Sequence, residues 1–80
     1  MKIAITGHSK GIGKACYDNL VQDHDVIGFS RSNGYDISKI RLIDQVVQES
    51  IDCDVFINNA YHGISQVDIL NRLWHYWRRD

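Results

Sequence analysis

Residues 1–13 of this 80-residue chain read MKIAITGHSKGIG, and this stretch decides the fold. It opens on a short apolar run, which is typical of a buried parallel strand. Three glycines follow, Gly7, Gly11 and Gly13. The apolar residues that then recur at helical spacing are Ile12, Ala15, Cys16 and Leu20. The stretch therefore predicts a strand, a glycine-rich loop and a helix whose inner face carries these four residues.

A loop of this kind suits an anion. Unpaired backbone N–H groups and the positive end of the helix dipole both point at a group bound there. A side chain at Gly7 or Gly11 would block the close approach of a pyrophosphate. An ordinary tight turn between strand and helix also favours glycine, and it is the alternative. Three glycines directly after a strand favour the pyrophosphate interpretation.

A second motif lies further along the chain, where an apolar strand ends in Asn58-Asn59-Ala60. Together with Thr6-Gly7-His8-Ser9-Lys10-Gly11-Ile12-Gly13 it resembles the short-chain dehydrogenase/reductase family, whose motifs are TGxxxGIG and NNAG. Tyr61 replaces the last glycine of the second motif. The resemblance covers nearly the whole chain but only the front part of the family's domain. It implies a truncated, Rossmann-like dinucleotide-binding domain over residues 1–80.

The order of elements predicts the same fold class. Strands are expected at about 2–6, 25–30 and 54–58, and helices at about 12–22, 39–50 and 66–79. Such alternation indicates an α/β protein with a mainly parallel sheet of three or four strands, in three layers with about three helices. In the second helix Ser38 is the expected N-cap, and the residues expected to face inward are Ile40, Ile43, Val46 and Val47.

The segment after the second strand leaves two possibilities open. Too few residues separate this strand from Tyr35 for a helical crossover. Residues 35–37 are therefore either a vestigial strand or a brief antiparallel return, since Asn33-Gly34 is a strong hairpin-turn signal.

The end of the second strand bears on cofactor choice. NAD-binding folds usually place a carboxylate there, whereas this chain has Ser30-Arg31-Ser32. Arg31 could pair with a 2′-phosphate between two hydroxyls, and Lys10 could reach the same phosphate. This arrangement resembles the NADP(H)-preferring branch of the family, so NADP(H) is expected, with NAD(H) as the alternative cofactor. The alternative interpretation is that Lys10 and Arg31 are only solvated surface charges.

The resemblance supplies the remaining candidate contacts. Asp36-Ile37 matches a family element that contacts adenine, although turn chemistry explains Asp36 almost as well. His8 either touches a phosphate or is an exposed, variable position, and His24 is expected on the surface. The predicted cofactor-binding residues are Gly7, Ser9, Lys10, Gly11, Ile12, Gly13, Ser30, Arg31, Ser32, Asp36, Ile37, Asn59 and Ala60.

No catalytic residue is predicted. The family's Ser and YxxxK pair follow the NNAG strand, whereas Tyr35 and Lys39 precede it and match the spacing by chance. Tyr61 and His62 are the only candidate acid or base groups near the expected nicotinamide side. Three functions remain open: a module that binds NADP(H) without turnover, an enzyme completed by assembly, and an interaction protein that docks on a full-length dehydrogenase.

The last predicted helix has more apolar surface than one sheet can cover. Val67, Leu70, Trp74 and Trp77 form one stripe, which Ile69, Leu73 and Tyr76 widen. In the resembling family the corresponding helix packs against a second subunit. A homodimer or homotetramer built on residues 66–79 is therefore expected. A missing half of a larger protein would also cover this surface.

Composition excludes several classes of protein. A net charge of −1 argues against nucleic-acid binding. No apolar run is long enough to span a membrane. Cys16 and Cys53 have no metal-ligand spacing and are expected to be reduced, buried thiols in a cytoplasmic protein without a metal.

Overall fold

The structure, a computed structural model, describes residues 1–60 and 63–77. It is an α/β fold of the expected minimal Rossmann-like type, with three parallel strands and three helices in the described part. In chain order, the elements are β1 (Lys2–Thr6), α1 (Gly11–Leu20), β2 (Asp25–Phe29), a 3-10 turn (Arg31–Asn33), α2 (Ile40–Ser50), β3 (Val55–Asn58) and α3 (Gly63–Trp77).

The strand order in the sheet is β2-β1-β3. The most apolar strand, β1, lies at the centre, where both of its faces are covered. Ile5 lies between Gly28 and Ile57, and Thr6 lies between Phe29 and Asn58. Because all three strands are parallel, their carboxyl ends meet at one edge of the sheet.

Helices α2 and α3 pack together on one face of the sheet. The core there combines residues from both helices with the strands and the loop before α2: Ala4, Phe29, Ile37, Ile43, Val46, Val47, Cys53, Ile69 and Leu73. Burial of Ile43, Val46 and Val47 confirms the predicted inner face of α2. The side chain of Ile40 lies outside the described part of the structure.

Helix α1 lies on the opposite side of the sheet. Its predicted inner face is wrong for Ile12 and Ala15, whereas Cys16 and Leu20 are half-buried. Ile12 is 79% exposed and Ala15 is also exposed, whereas Gly13 is buried. The reason is the close approach of α1 to the glycine loop. Position 13 packs against the carbonyl of Gly7, which turns the neighbouring Ile12 toward solvent.

Residues 35–37 form no strand, so both predicted alternatives for this segment are wrong. The 3-10 turn ends at Gly34, whose φ of +91° suits glycine. The Asn33 amide accepts a hydrogen bond from the Ser30 N–H at 2.9 Å and donates one to the Gly28 carbonyl at 2.8 Å. The Asn-Gly pair therefore ends a turn that folds back on β2, and the chain then runs to α2.

Two helix starts also differ from expectation. Lys39, and not Ser38, is the N-cap of α2. The Ser38 hydroxyl instead donates to Asp36 Oδ1 at 2.7 Å, within the preceding turn. Helix α3 begins at Gly63, earlier than the predicted start near 66, and the predicted end beyond 77 lies outside the described residues.

The two cysteines differ in their burial. Cys53 is buried, which raises the pKa of its thiol, while Cys16 is only half-buried; both are unpaired.

Among the described residues, no helix combines the length and the apolar character needed to cross a membrane.

Candidate functional site

A groove of about 760 Å³ opens at the carboxyl ends of β1 and β2. The structure brings nine of the thirteen predicted cofactor-binding residues to its walls: Gly7, Ser9, Lys10, Ser30, Arg31, Ser32, Asp36, Ile37 and Ala60. Three residues that the sequence reasoning did not select also line it: Phe29, Tyr35 and Ser38. The predicted residues Gly11, Ile12, Gly13 and Asn59 lie outside this lining.

The glycine loop exposes backbone at the start of α1. Gly7 and Gly11 have φ values of +71° and +54°, a region that other residues rarely adopt. A Cβ at Gly11 would have no atom within 4 Å, so the space beside it is open. No side chain caps the first turn of α1, and no acidic residue lies in it. The helix therefore presents unpaired N–H groups and its positive end there.

Gly13 has a packing role. A Cβ at this position would overlap the Gly7 carbonyl oxygen and the Asn59 amide nitrogen. The absence of a side chain therefore lets α1 approach the end of β1, as the third glycine of a dinucleotide-binding loop does.

The Asn58-Asn59-Ala60 segment joins β3 to the glycine loop. Asn59 Nδ2 donates to the Gly7 carbonyl at 3.1 Å, and the Ala60 N–H donates to Thr6 Oγ1 at 3.0 Å. The Thr6 hydroxyl in turn donates to Asn58 Oδ1 at 3.2 Å. The sequence reasoning gave no role to Thr6, which is fully buried, although it is the first residue of the quoted motif.

The lining of the groove includes two positively charged residues. Lys10 and Arg31 both line it and are exposed, and neither forms an ion pair within residues 1–60 and 63–77. Ser30 and Ser32 also line the groove, and their hydroxyl oxygens lie 2.6 Å apart and share a hydrogen bond. The groove therefore offers two cations and two hydroxyls to an anion.

Asp36 is the carboxylate among the described residues that line the groove, and its side chain stabilises the local turn. Its Oδ1 accepts hydrogen bonds from the Ser38 hydroxyl at 2.7 Å and the Ser38 N–H at 3.0 Å. These bonds, followed by the charges of Arg31 and Lys39, lower the pKa of Asp36. The neighbouring Ile37 is 6% exposed, so its side chain belongs to the core.

An aromatic pair forms the wall between these polar groups and α2. The rings of Phe29 and Tyr35 meet edge to face, with centroids 4.9 Å apart. The Tyr35 hydroxyl donates to Glu49 Oε2 at 2.6 Å. This hydrogen bond, with some desolvation, raises the pKa of Tyr35. A tyrosine that acts as an acid near neutral pH needs the opposite shift, which favours the interpretation of the Tyr35–Lys39 spacing as chance.

Tyr35→Phe is expected to remove a component of raised pKa from the alkaline titration of tyrosinate absorbance. The stabilisation from the Tyr35–Glu49 bond is complete below the ordinary tyrosine pKa of 10.0, and it is lost as pH rises through the raised pKa of folded Tyr35. Glu49→Gln is the matched control: it keeps Tyr35 but should move its titration toward the ordinary range. A titration unchanged by either substitution would contradict this assignment.

Of the two alternatives for His8, the exposed position is wrong, and contact with a phosphate stays a prediction. His8 is half-buried, its ring lies 4.9 Å from the ring of Tyr17, and it fills the space where a side chain at Gly28 would be. His24 is likewise half-buried. Tyr61 and His62 lie outside the described residues.

Comparisons with protein-family models, curated proteins and solved structures give no significant match. Within residues 1–60 and 63–77, no group of three His, Cys, Asp or Glu side chains is arranged to hold a metal ion.

Proposed function

We propose that this chain binds a nicotinamide dinucleotide, with NADP(H) preferred over NAD(H), and is related to the short-chain dehydrogenase/reductase family. The observation that carries the proposal is the groove at the carboxyl ends of β1 and β2, whose walls include nine residues selected from sequence. Parallel α/β sheets usually bind ligands at this edge. A volume of about 760 Å³ also falls within the usual range for small-molecule sites.

Each part of a dinucleotide has a chemically suitable neighbour in this region. The open backbone at Gly11 and the N-terminus of α1 suit the pyrophosphate. Lys10 and Arg31 suit the 2′-phosphate. The ring of Tyr35, which is half-buried, lines the groove and packs on the buried Phe29, suits an adenine ring. The proposal concerns binding of the dinucleotide and assigns no catalytic residue.

The proposal also places the protein in the cytoplasm. Two unpaired cysteines, one of them buried, support a reducing compartment.

Gly11→Val is expected to weaken NADP(H) binding by about 100-fold or more in calorimetric titrations. A branched side chain would occupy the open space beside the loop, where the pyrophosphate must approach. Gly34→Val is the matched control, because Gly34 also has a positive φ and open surroundings but ends the 3-10 turn and is not at the N-terminus of α1. It should carry similar backbone strain and still bind. If the wild-type chain gives no heat and no thermal shift with NADP(H) or NAD(H), the proposed function is wrong.

A further inference from the structure

The open edge of β2 ends at an exposed asparagine side chain. Within the described residues, β2 is hydrogen-bonded to a strand on one side only, to β1. The Phe29 carbonyl faces β1, since it accepts the Gly7 N–H at 2.7 Å. Successive residues of a strand bond to opposite sides, so the Gly28 carbonyl and the Ser30 N–H both face the open edge. The Asn33 side-chain amide pairs with both of these groups, at 2.8 and 2.9 Å.

The Asn33 amide takes the place of a neighbouring strand. It carries a carbonyl and an amide nitrogen, so it offers the same acceptor and donor as a peptide unit. In a parallel pair, one residue bonds the carbonyl and the N–H of two partner residues that lie two positions apart. Gly28 and Ser30 have this spacing. A side chain of the following turn therefore closes the edge of β2 at its carboxyl end.

These two bonds hold the 3-10 turn against β2. The turn has only three residues, Arg31–Asn33, and its two internal backbone hydrogen bonds are both 3.2 Å long. Short 3-10 segments have poor hydrogen-bond geometry, and 3.2 Å is at the upper end of the usual range. The two bonds of the Asn33 side chain are shorter. The position of the turn therefore depends on Asn33.

The same turn carries part of the groove wall. Arg31 and Ser32 line the groove, whereas Asn33 is exposed and lies outside this lining. Arg31 forms no ion pair within residues 1–60 and 63–77, so its placement follows from the backbone that carries it. A cation that is already in place loses less conformational freedom on binding than a mobile one.

Removal of the Asn33 amide would disturb this arrangement. Ser30 is only 7% exposed, so its N–H would lose its partner in a buried setting. A buried donor without a partner is costly, and the turn must shift to bring the Ser30 N–H to water. Arg31 is the next residue and would move with it.

We propose that Asn33 is a positioning residue for nucleotide selectivity: it closes the edge of β2 and thereby holds Arg31 for the 2′-phosphate of NADP(H). Asn33 itself contacts no part of the nucleotide. This role rests on the proposed function, because the selectivity concerned is that of the groove.

Calorimetric titration with NADPH and NADH tests the proposal. Asn33→Ala should lower the ratio of NADPH to NADH affinity about fivefold, although Arg31 is retained, because the guanidinium must then be ordered on binding. Arg31→Ala should lower the same ratio about tenfold, since it removes a charged hydrogen bond. Added to Asn33→Ala, it should lower the ratio only to the value of Arg31→Ala alone, since both substitutions act on one contact.

Gln22→Ala is the matched control. Gln22 is also an exposed amide that bonds a backbone carbonyl, that of Asp18 at 3.1 Å, but it lies beyond α1 and does not line the groove. Its replacement should leave the affinity ratio unchanged.

Amide hydrogen exchange of the nucleotide-free protein tests the structural step by itself. The Ser30 N–H should exchange about tenfold faster in Asn33→Ala than in the wild type or in Gln22→Ala. Unchanged exchange would overturn the proposal. Faster exchange with an unchanged affinity ratio, or effects of Asn33→Ala and Arg31→Ala that multiply, would also overturn it and leave the proposed function standing. A wild type that binds neither nucleotide would overturn both.

Discussion

Gly13→Ala is expected to lower the free energy of unfolding by about 3 kcal/mol, because an added methyl group has no room. The new Cβ would overlap the Gly7 carbonyl oxygen and the Asn59 amide nitrogen. Relief requires α1 to move away from β1, or the Asn59–Gly7 hydrogen bond to break. An 80-residue domain has a total stability of only about 4–12 kcal/mol, so the loss is a large part of it.

Urea denaturation followed by circular dichroism measures this effect. Gly11→Ala is the matched control, since it adds the same methyl group where nothing lies within 4 Å. Its only cost is the backbone conformation at φ +54°, about 1–2 kcal/mol. A Gly13→Ala variant as stable as Gly11→Ala would show that α1 does not pack closely against the end of β1.

Local signals in the sequence were sufficient to predict the elements of the sheet and most of the groove. The glycine loop that follows the apolar run of β1 and the Asn58-Asn59-Ala60 segment both lie at carboxyl ends of strands. In a parallel sheet those ends share one edge, so residues 52 positions apart, such as Gly7 and Asn59, come into contact. The carboxyl end of β2 lies at the same edge, because β1 lies between β2 and β3 in the parallel sheet.

The errors arise where a tertiary contact overrides a local pattern. Ile12 fits an apolar helix face by spacing, but the close packing of Gly13 sets the rotation of α1 and leaves Ile12 exposed. His8 looks like a loop residue in the sequence, yet the missing side chain of Gly28 makes room for its ring. The pairing of β1 with β2 determines that contact, and no spacing within the glycine loop indicates it.

The segment between β2 and α2 shows a different limitation. Asn33-Gly34 is compatible with a hairpin, but a hairpin needs a strand to return beside β2. Here the Asn33 side chain bonds the backbone of Ser30 and Gly28, which stabilises the turn without a strand. Tyr35 then packs on Phe29 and bonds Glu49 of α2. These contacts between distant segments build the aromatic wall of the groove, which the motifs alone did not reveal.

Arg31→Asp is expected to change the ratio of NADP(H) to NAD(H) affinity by about 100-fold. In the wild type, Arg31 and Lys10 should favour NADP(H) by roughly tenfold or more, since a hydrogen bond to a charged group contributes about 1.5–3 kcal/mol. Aspartate would remove one such bond and repel the 2′-phosphate. It would also restore the carboxylate that holds the ribose hydroxyl in NAD-binding folds. The preference should therefore disappear or invert.

Arg41→Asp is the matched control for this selectivity. It makes the same change of charge at an exposed residue of α2 that does not line the groove. Both variants are titrated calorimetrically with NADPH and NADH. Because both substitutions change the net charge equally, a difference between them reports a local contact at the groove. Arg31 is exposed, so its replacement should leave the fold intact. Equal affinities of the wild type for the two nucleotides would show that Arg31 and Lys10 are surface charges only, because no other described cation lines the groove.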